Sequence, residues 1–386
     1  MTNPNPRMLR WAREKAGLSQ EEAATKLALR SRAGASILIN NFETGAAVPT
    51  SKKLAEIAKL YRRPLITFFL ESPPAEAPKG EDFRTLPNAA TPKENAAVDA
   101  LLRDVYVRQN IVREALFDSE LAVKLNFVGS IEPKQSVHEV VEKIKSLLEI
   151  SLEEYRSTAD AHEAFGYLRK KIENSGIYVL LIGNLGSHHS NIPVDVFRGI
   201  AISDEYAPFI VVNDNDSKYA WSFTLLHELT HVFLGASGLS NNIAGSRIEK
   251  FCNDVASYIL LTDFDFNSFG IREDIEIDRI IDIASDKSQQ LNISASMITY
   301  RAFTLGFINF EQWSKSTEYF RNIWIESKGK KDKTGGGSYY ATKKHKTGSA
   351  LINTVKRSIL DGVMTQTKAG KVLGVKPGNV AEMVGL

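Results

Sequence analysis

The sequence reads Leu225-Leu226-His227-Glu228-Leu229-Thr230-His231 in the middle of an apolar run. On an α-helix, His227 and His231 are about one turn apart on the same face, so both imidazoles can bind one zinc ion. Glu228 follows the first histidine, where its carboxylate could accept a proton from an attacking water. The alternative is a pair of packed or exposed histidines beside an ordinary carboxylate. The apolar flanks and Gly235, which predicts the end of the helix, favour the zinc site.

A third ligand is expected, because zinc in hydrolases usually has three protein ligands and one open position. Downstream, apolar residues recur at helical spacing over residues 247–261, which predicts an amphipathic helix with one buried face. Glu249 lies near the beginning of this helix. An antiparallel return after the loop 235–246 would bring its carboxylate to the two histidines. The other interpretation is a surface glutamate that the helix dipole favours in a first turn.

Together these motifs resemble those of a known family. H-E-x-x-H followed by E-x-x-C-N-x-x-A-x-x-x-L-L, from Glu249 to Leu261, is similar to the zinc metallopeptidase domain of the ImmA/IrrE family. The resemblance covers roughly residues 160–325. It implies a zinc metalloendopeptidase in which His227, His231 and Glu249 bind Zn²⁺ and Glu228 is the catalytic general base. Many members have proline after the final Leu-Leu, whereas this chain has Thr262-Asp263, a departure that lies away from the metal.

Residues 1–70 predict an all-α domain of five short helices. Ser19 and Glu22 form a capping-box pattern, and the segments 17–24, 42–45 and 49–50 resemble the Xre/Cro-type helix-turn-helix domain. In such domains the second helix of the pair lies in the major groove. The resemblance implies double-stranded DNA at an operator as a partner, and a second copy of the chain in a homodimer. The residues expected to contact DNA are Gln20, Arg30, Arg32, Ser36 and Asn40.

One departure concerns the region between Leu27 and Glu43, which is about five residues longer than the usual pattern. The extra residues include Arg30 and Arg32, and the predicted recognition helix over residues 35–42 has few base-reading side chains. DNA binding would then depend on these arginines and on phosphate contacts. The other interpretation is that the same scaffold binds a protein.

The charge is unevenly distributed along the chain. The net charge is +2, but residues 1–70 hold 12 Lys and Arg against 5 Asp and Glu, and residues 328–386 hold 12 against 3. The middle of the chain is acidic. Basic ends favour phosphate or acidic partners, although basic tails can also serve solubility alone.

Several observations favour a cytoplasmic protein without a membrane partner. No apolar run approaches the length of a membrane span, and the first residues lack the apolar segment of a signal peptide. Cys252 is the single cysteine, so internal disulfides are excluded. With 386 residues, 43% of them hydrophobic, the chain can form two or three domains with separate cores.

The domain boundaries follow composition and periodicity, and the predicted fold class is an α+β multidomain protein. After the helix-turn-helix domain, residues 71–158 are a Pro-rich linker and a helical spacer, with helices over 93–117 and 137–148 and no chemistry of their own. Residues 159–327 contain clustered strands followed by helices, as in a zincin-like α+β metallopeptidase domain. Residues 328–386 form a small, basic, helical C-terminal module.

Two further features leave alternatives open. The C-terminal module binds either DNA or a protein, and Gly335-Gly336-Gly337 should leave it separable from the zinc domain. His188 and His189, in a Gly- and Ser-rich loop, either contact substrate and stabilise an oxyanion or are simply solvated.

The sequence thus predicts a DNA-binding regulator with a zinc-dependent peptidase domain. The family resemblance implies a stress, mobile-element or toxin–antitoxin circuit, in which the peptidase cleaves a repressor or partner protein. The alternative is a non-proteolytic antitoxin that binds and neutralises a toxin and represses its own promoter. Glu228 argues for the peptidase, because a purely structural zinc site needs no base.

Overall fold

The computed structural model describes residues 3–29, 34–74, 91–186, 190–236, 242–272, 274–329 and 338–386. Arg30, Arg32, His188 and His189 lie outside these ranges, as does the glycine segment 335–337. The described residues form mainly helices and one small sheet. None of the helices in these ranges combines the length and the apolar character needed to cross a membrane.

The N-terminal region is a helical unit with its own core. Its elements are α1 (Pro6–Lys15), α2 (Gln20–Lys26), α3 (Ala35–Thr44), α4 (Ser51–Leu60) and a 3₁₀ turn (Leu65–Phe69). The predicted capping box forms at the start of α2, where Ser19 and Glu22 exchange hydrogen bonds. Leu9, Ile39 and Phe68 are among the side chains that fill the core.

A buried ion pair joins three of these helices. The Arg13 guanidinium on α1 donates to both carboxylate oxygens of Glu43 on α3, at 2.6 and 3.0 Å. Gln20 on α2 donates to the same carboxylate at 3.0 Å. Hydrogen bonding to Glu43 raises the pKa of Arg13, so the charged form of the arginine is stabilised in place.

The central sheet has three short strands, each of them buried. It is preceded by α5 (Pro92–Asp118), α6 (Val137–Leu148), α7 (Leu152–Arg156) and α8 (Ala161–Asn174). The strands are β1 (Tyr178–Leu181), β2 (Gly199–Ile202) and β3 (Phe209–Val212), in the order β1-β3-β2. β3 pairs in parallel with β1, with Tyr178 opposite Phe209, and antiparallel with β2, with Gly199 opposite Val212.

Helices cover one face of this sheet and carry the metal-binding motif. They are α9 (Lys218–Leu234), α10 (Asn242–Leu260), α11 (Asp263–Phe269), α12 (Ile277–Leu291), α13 (Ala295–Thr304) and α14 (Phe310–Gly329). Because successive strand residues point to opposite faces, Val179, Ile210 and Val212 enter the core shared with these helices. This core is the largest apolar cluster among the described residues.

The opposite face of the sheet packs against α5 and the C-terminal helices. The latter are α15 (Tyr339–Thr347), α16 (Ser349–Leu360), α17 (Gln366–Leu373) and α18 (Val380–Val384). Leu351, Val355 and Leu373 are fully buried in a second core with Leu180 and Val211 of the sheet. The apolar side chains of the expected C-terminal module thus complete the layer over the sheet, and deletion of these helices tests whether the module is separable.

Candidate metal centre

The two predicted histidine ligands lie on one face of α9. The helix begins after Ser217 and ends at Gly235, whose φ of 65° is a left-handed conformation that glycine adopts without strain. His227 is fully buried and His231 is 4% exposed. Their Nε2 atoms lie 3.1 Å apart, so the four-residue spacing brings the two rings to one point.

The third predicted ligand reaches the same point from α10, which packs along α9. Glu249 Oε2 lies 3.3 Å from His227 Nε2, and Glu249 Oε1 lies 3.3 Å from His231 Nε2. The three side chains form a His-His-Glu cluster whose ligand atoms all lie within 4.8 Å of one another. The structure thus brings together the residues that the sequence pattern selected.

These separations fit a tetrahedral zinc site. Zinc bonds to His nitrogen and carboxylate oxygen are about 2.0–2.2 Å long, so tetrahedral ligand atoms lie roughly 3.3–3.5 Å apart. The two histidine nitrogens lie 3.1 Å apart, slightly closer than that, and each lies 3.3 Å from a different oxygen of the Glu249 carboxylate, so the three side chains are close enough to bind one ion. Three ligands also leave one position for water or substrate, the arrangement found in catalytic zinc sites.

Glu228 is fully buried beside the ligands, in a space that depends on a glycine. A Cβ atom at Gly199, the first residue of β2, would stand only 2.7 Å from Cγ and Cδ of Glu228. Gly199 therefore lets the carboxylate lie directly against the edge strand. Gly199 was not among the predicted site residues, although an isolated glycine at a strand position often indicates a close approach.

Asn213 holds the segment that leads into β2. This fully buried residue follows β3, and its side-chain amide donates to the carbonyl oxygens of Ile192 (3.1 Å) and Phe197 (2.9 Å). Its backbone amide donates to Arg198 at 2.8 Å. The position of Gly199, and so of the wall that Glu228 touches, is fixed by these contacts.

A carboxyl group further along α10 connects the site to α13. The Tyr300 hydroxyl donates to Asp254 Oδ1 at 3.3 Å, and burial raises the pKa of Asp254. This contact fixes α10 against the helices behind it. It thereby supports the helix that carries Glu249.

The residues predicted to contact DNA are only partly described. Asn40 is exposed on α3 and Ser36 is partly buried there. Gln20 is engaged with Glu43, as described above, and lies 3.5 Å from Asn40 Oδ1. Arg30 and Arg32, like the loop histidines His188 and His189, fall outside the described ranges.

Comparison with known proteins agrees with the assignment of the metal centre. Residues 185–302 match the profile of the IrrE N-terminal-like domain, a peptidase family. No curated protein and no solved structure matched the chain. The match includes His227, Glu228, His231 and Glu249, and leaves the N-terminal helices and the C-terminal module outside it. The part of the chain that holds the metal centre is therefore similar to the metal-dependent IrrE N-terminal-like peptidase domain.

Proposed function

We propose that the protein is a zinc-dependent peptidase that acts on a repressor or partner protein in a regulatory circuit. The observation that carries this proposal is the ligand cluster of His227, His231 and Glu249, whose spacing suits zinc, beside the buried carboxylate of Glu228. A purely structural zinc site has no need of such a carboxylate.

The three metal ligands and Glu228 have different roles in hydrolysis. His227, His231 and Glu249 hold the metal, and a bound zinc supplies Lewis acidity that polarises a carbonyl and lowers the pKa of water. Glu228 accepts the proton of the attacking water and delivers it to the leaving amine. Glu228 is fully buried, and electrostatic interactions are stronger in buried surroundings of low dielectric constant than in water.

The metal assignment predicts about one zinc per purified chain. His227→Ala or His231→Ala should reduce the zinc content at least tenfold, since each removes one of three ligands. Inductively coupled plasma mass spectrometry measures this directly. His138→Ala, a histidine in α6 that is not part of the cluster, is the matched control and should keep the metal. Undiminished zinc in the α9 variants would contradict the assignment.

The peptidase assignment is tested by Glu228→Gln, which removes the base and leaves the ligands in place. New protein N termini, mapped by mass spectrometry in host cells, should appear with the unaltered protein and disappear with Glu228→Gln. Zinc retained by the variant would show that the metal site is intact. Identical N termini with both proteins would favour the non-proteolytic antitoxin that sequesters its partner.

We also propose that the N-terminal helical unit binds operator DNA. The support is the capped α2, the exposed Asn40 on α3 and the net charge of +7 over residues 1–70. Binding to promoter DNA should weaken steeply with salt, because neutralised phosphates release counterions. Arg30→Ala and Arg32→Ala should weaken binding in a gel-shift series, whereas Lys356→Ala on α16 should not. Equal binding to promoter and random DNA would favour protein docking on this scaffold.

A further inference from the structure

A second site lies apart from the metal centre, in a cleft of about 910 Å³. Its walls come from the end of α4, the middle of α5, the carboxyl end of β1 and the helices α15 and α17. The lining residues, within the described ranges, include no metal ligand and not Glu228. The peptidase chemistry therefore leaves this cleft without a role.

The cleft is strongly basic. Five cationic side chains line the wall formed by α5 and the C-terminal helices: Arg103, Arg108, Lys343, Lys346 and Lys371. The carboxylate in the lining is Asp104, which pairs with both Arg108 (2.6 Å) and Lys371 (2.7 Å). Just outside the lining, Asp214 pairs with Lys346 at 2.5 Å. Among the residues that line the cleft, the cations outnumber the carboxylates.

Two of these cations come together at one place in the cleft. A Cβ atom on Gly374 would lie 3.0 Å from both Arg108 Nη2 and Lys343 Nζ, so the missing side chain makes room for the two groups to meet. Burial, with Arg108 and Lys346 nearby, lowers the pKa of Lys343 to about 8. Like charges gathered in a partly desolvated place repel one another, and a bound anion would relieve that repulsion.

We propose that this cleft binds a small organic polyphosphate, of the class of nucleoside triphosphates. Its volume lies in the range typical of small-molecule sites, about 300–1,000 Å³. Arginine and lysine are the side chains that bind phosphate oxygens most strongly. Leu101, Val107 and Ile182 add apolar lining that an inorganic anion does not need. An extended nucleic-acid strand would instead require cations along a groove.

The ligand would also bridge two parts of the molecule. Lys59, Arg62 and Arg63, at the end of α4 and just after it, form the facing wall of the cleft. A polyphosphate held between these residues and α5 ties the N-terminal unit to the body that contains the metal centre. Binding of the polyphosphate would thereby favour one arrangement of the N-terminal unit relative to this body. The preference would equal the free energy of the bridging contacts.

Isothermal titration of the full-length, zinc-loaded protein with adenosine triphosphate tests the proposal. Lys343→Gln and Arg103→Gln should each weaken binding about tenfold or more, the effect expected from losing one charge-assisted hydrogen bond. Lys344→Gln, the exposed neighbour on α15, should bind as the unaltered protein does. On α4, Lys59→Gln should weaken binding, whereas the exposed Lys52→Gln should not.

Two comparisons distinguish this polyphosphate site from the metal centre and from a DNA-binding site. His227→Ala should lose zinc and still bind the triphosphate; loss of both would place the ligand at the metal and overturn the proposal. Inorganic triphosphate should compete, because the phosphates supply most contacts. The proposal also fails if Lys343→Gln leaves triphosphate binding unchanged, or if the variant loses affinity for a DNA oligonucleotide while triphosphate affinity stays the same.

Discussion

The position of the Glu228 side chain depends on the lack of a side chain at Gly199. The carboxylate occupies the space that a Cβ on Gly199 would take, so the strand backbone forms one wall of the site. The φ of Gly199 is not in the left-handed region, so the constraint is one of space and not of backbone conformation. A substitution at Gly199 therefore tests how the Glu228 carboxylate is held in place.

Gly199→Ala should therefore displace Glu228 and leave the ligands in place. We expect a zinc content near that of the unaltered protein, at least a tenfold loss of Glu228-dependent cleavage, and destabilisation of about 1–3 kcal/mol from overpacking. Gly166→Ala is the control, because the structure shows nothing within 4 Å of a Cβ at that position on α8. Unchanged cleavage by Gly199→Ala would mean that the wall does not position the base.

At this scale the sequence predicted the ligands but not their surroundings. His227 and His231 follow from a four-residue spacing that one helical turn converts into proximity, Glu249 follows from the family motif, and the structure brings the three together. The contact of Gly199 with Glu228 joins residues on different elements. Only the packing of β2 against α9 creates it, and no local period in the sequence encodes that packing.

Among the elements, those with strong local signals were predicted best. The sequence placed α6 over 137–148 and the end of the zinc-motif helix at Gly235, and the structure agrees at both places, because apolar periodicity marks α6 and a glycine follows α9. The short helix α11 was not predicted. Its capping box, formed by Thr262 and Asp265, begins directly where the preceding helix ends. The sequence pattern therefore looks like one continuous helix and does not show the boundary between the two helices.

The ion pair of Arg13 and Glu43 predicts how the N-terminal unit is stabilised. Glu43→Ala would leave a buried guanidinium without its carboxylate, which costs about 3–5 kcal/mol. Hydrogen exchange measured on the full chain should show faster exchange throughout α1, α2 and α3. Arg10→Ala is the control, because its pair with Glu14 is exposed and such surface pairs contribute about 0–1 kcal/mol.

A double variant distinguishes a charge effect from a packing effect. Arg13→Leu combined with Glu43→Leu should recover much of the lost protection, because no unpaired charge then remains buried. The double variant could instead keep hydrogen-exchange protection as low as in Glu43→Ala. That result would show that the shape of the ion pair, together with its hydrogen bond from Gln20, stabilises the unit. Unchanged exchange in Glu43→Ala itself would contradict the prediction.

At the scale of the whole molecule, the central sheet connects two apolar cores. The segments that form these cores were predicted from the sequence as separate units. The helical spacer and the basic C-terminal module were each recognised as amphipathic. Their partners could not be read from the sequence, because periodicity shows which face of a helix is buried and not what covers it. In the structure, α5 of the spacer and the C-terminal helices together cover the sheet face opposite α9, whereas α6 packs against α10 in the first core.

The last prediction follows from this shared core. Deleting residues 338–386 would expose apolar side chains of α5 and of the sheet, among them Leu102, Leu180 and Val211. We expect the truncated protein to aggregate or to lose zinc, as judged by size-exclusion chromatography and metal analysis. The cause is the loss of roughly 25 cal/mol of stabilisation for each Å² of apolar surface returned to water.

Two point variants on α16 make the same test without truncation. Val355 is fully buried and Leu360 is 65% exposed, so Val355→Asp places a charge in the second core while Leu360→Asp leaves it in solvent. Val355→Asp should lower the melting temperature strongly, because an unpaired buried charge is costly. Leu360→Asp should melt within about 2 °C of the unaltered protein, as surface substitutions usually do. A monomeric, zinc-loaded truncation product with an unchanged melting temperature would show that the C-terminal helices are dispensable after all.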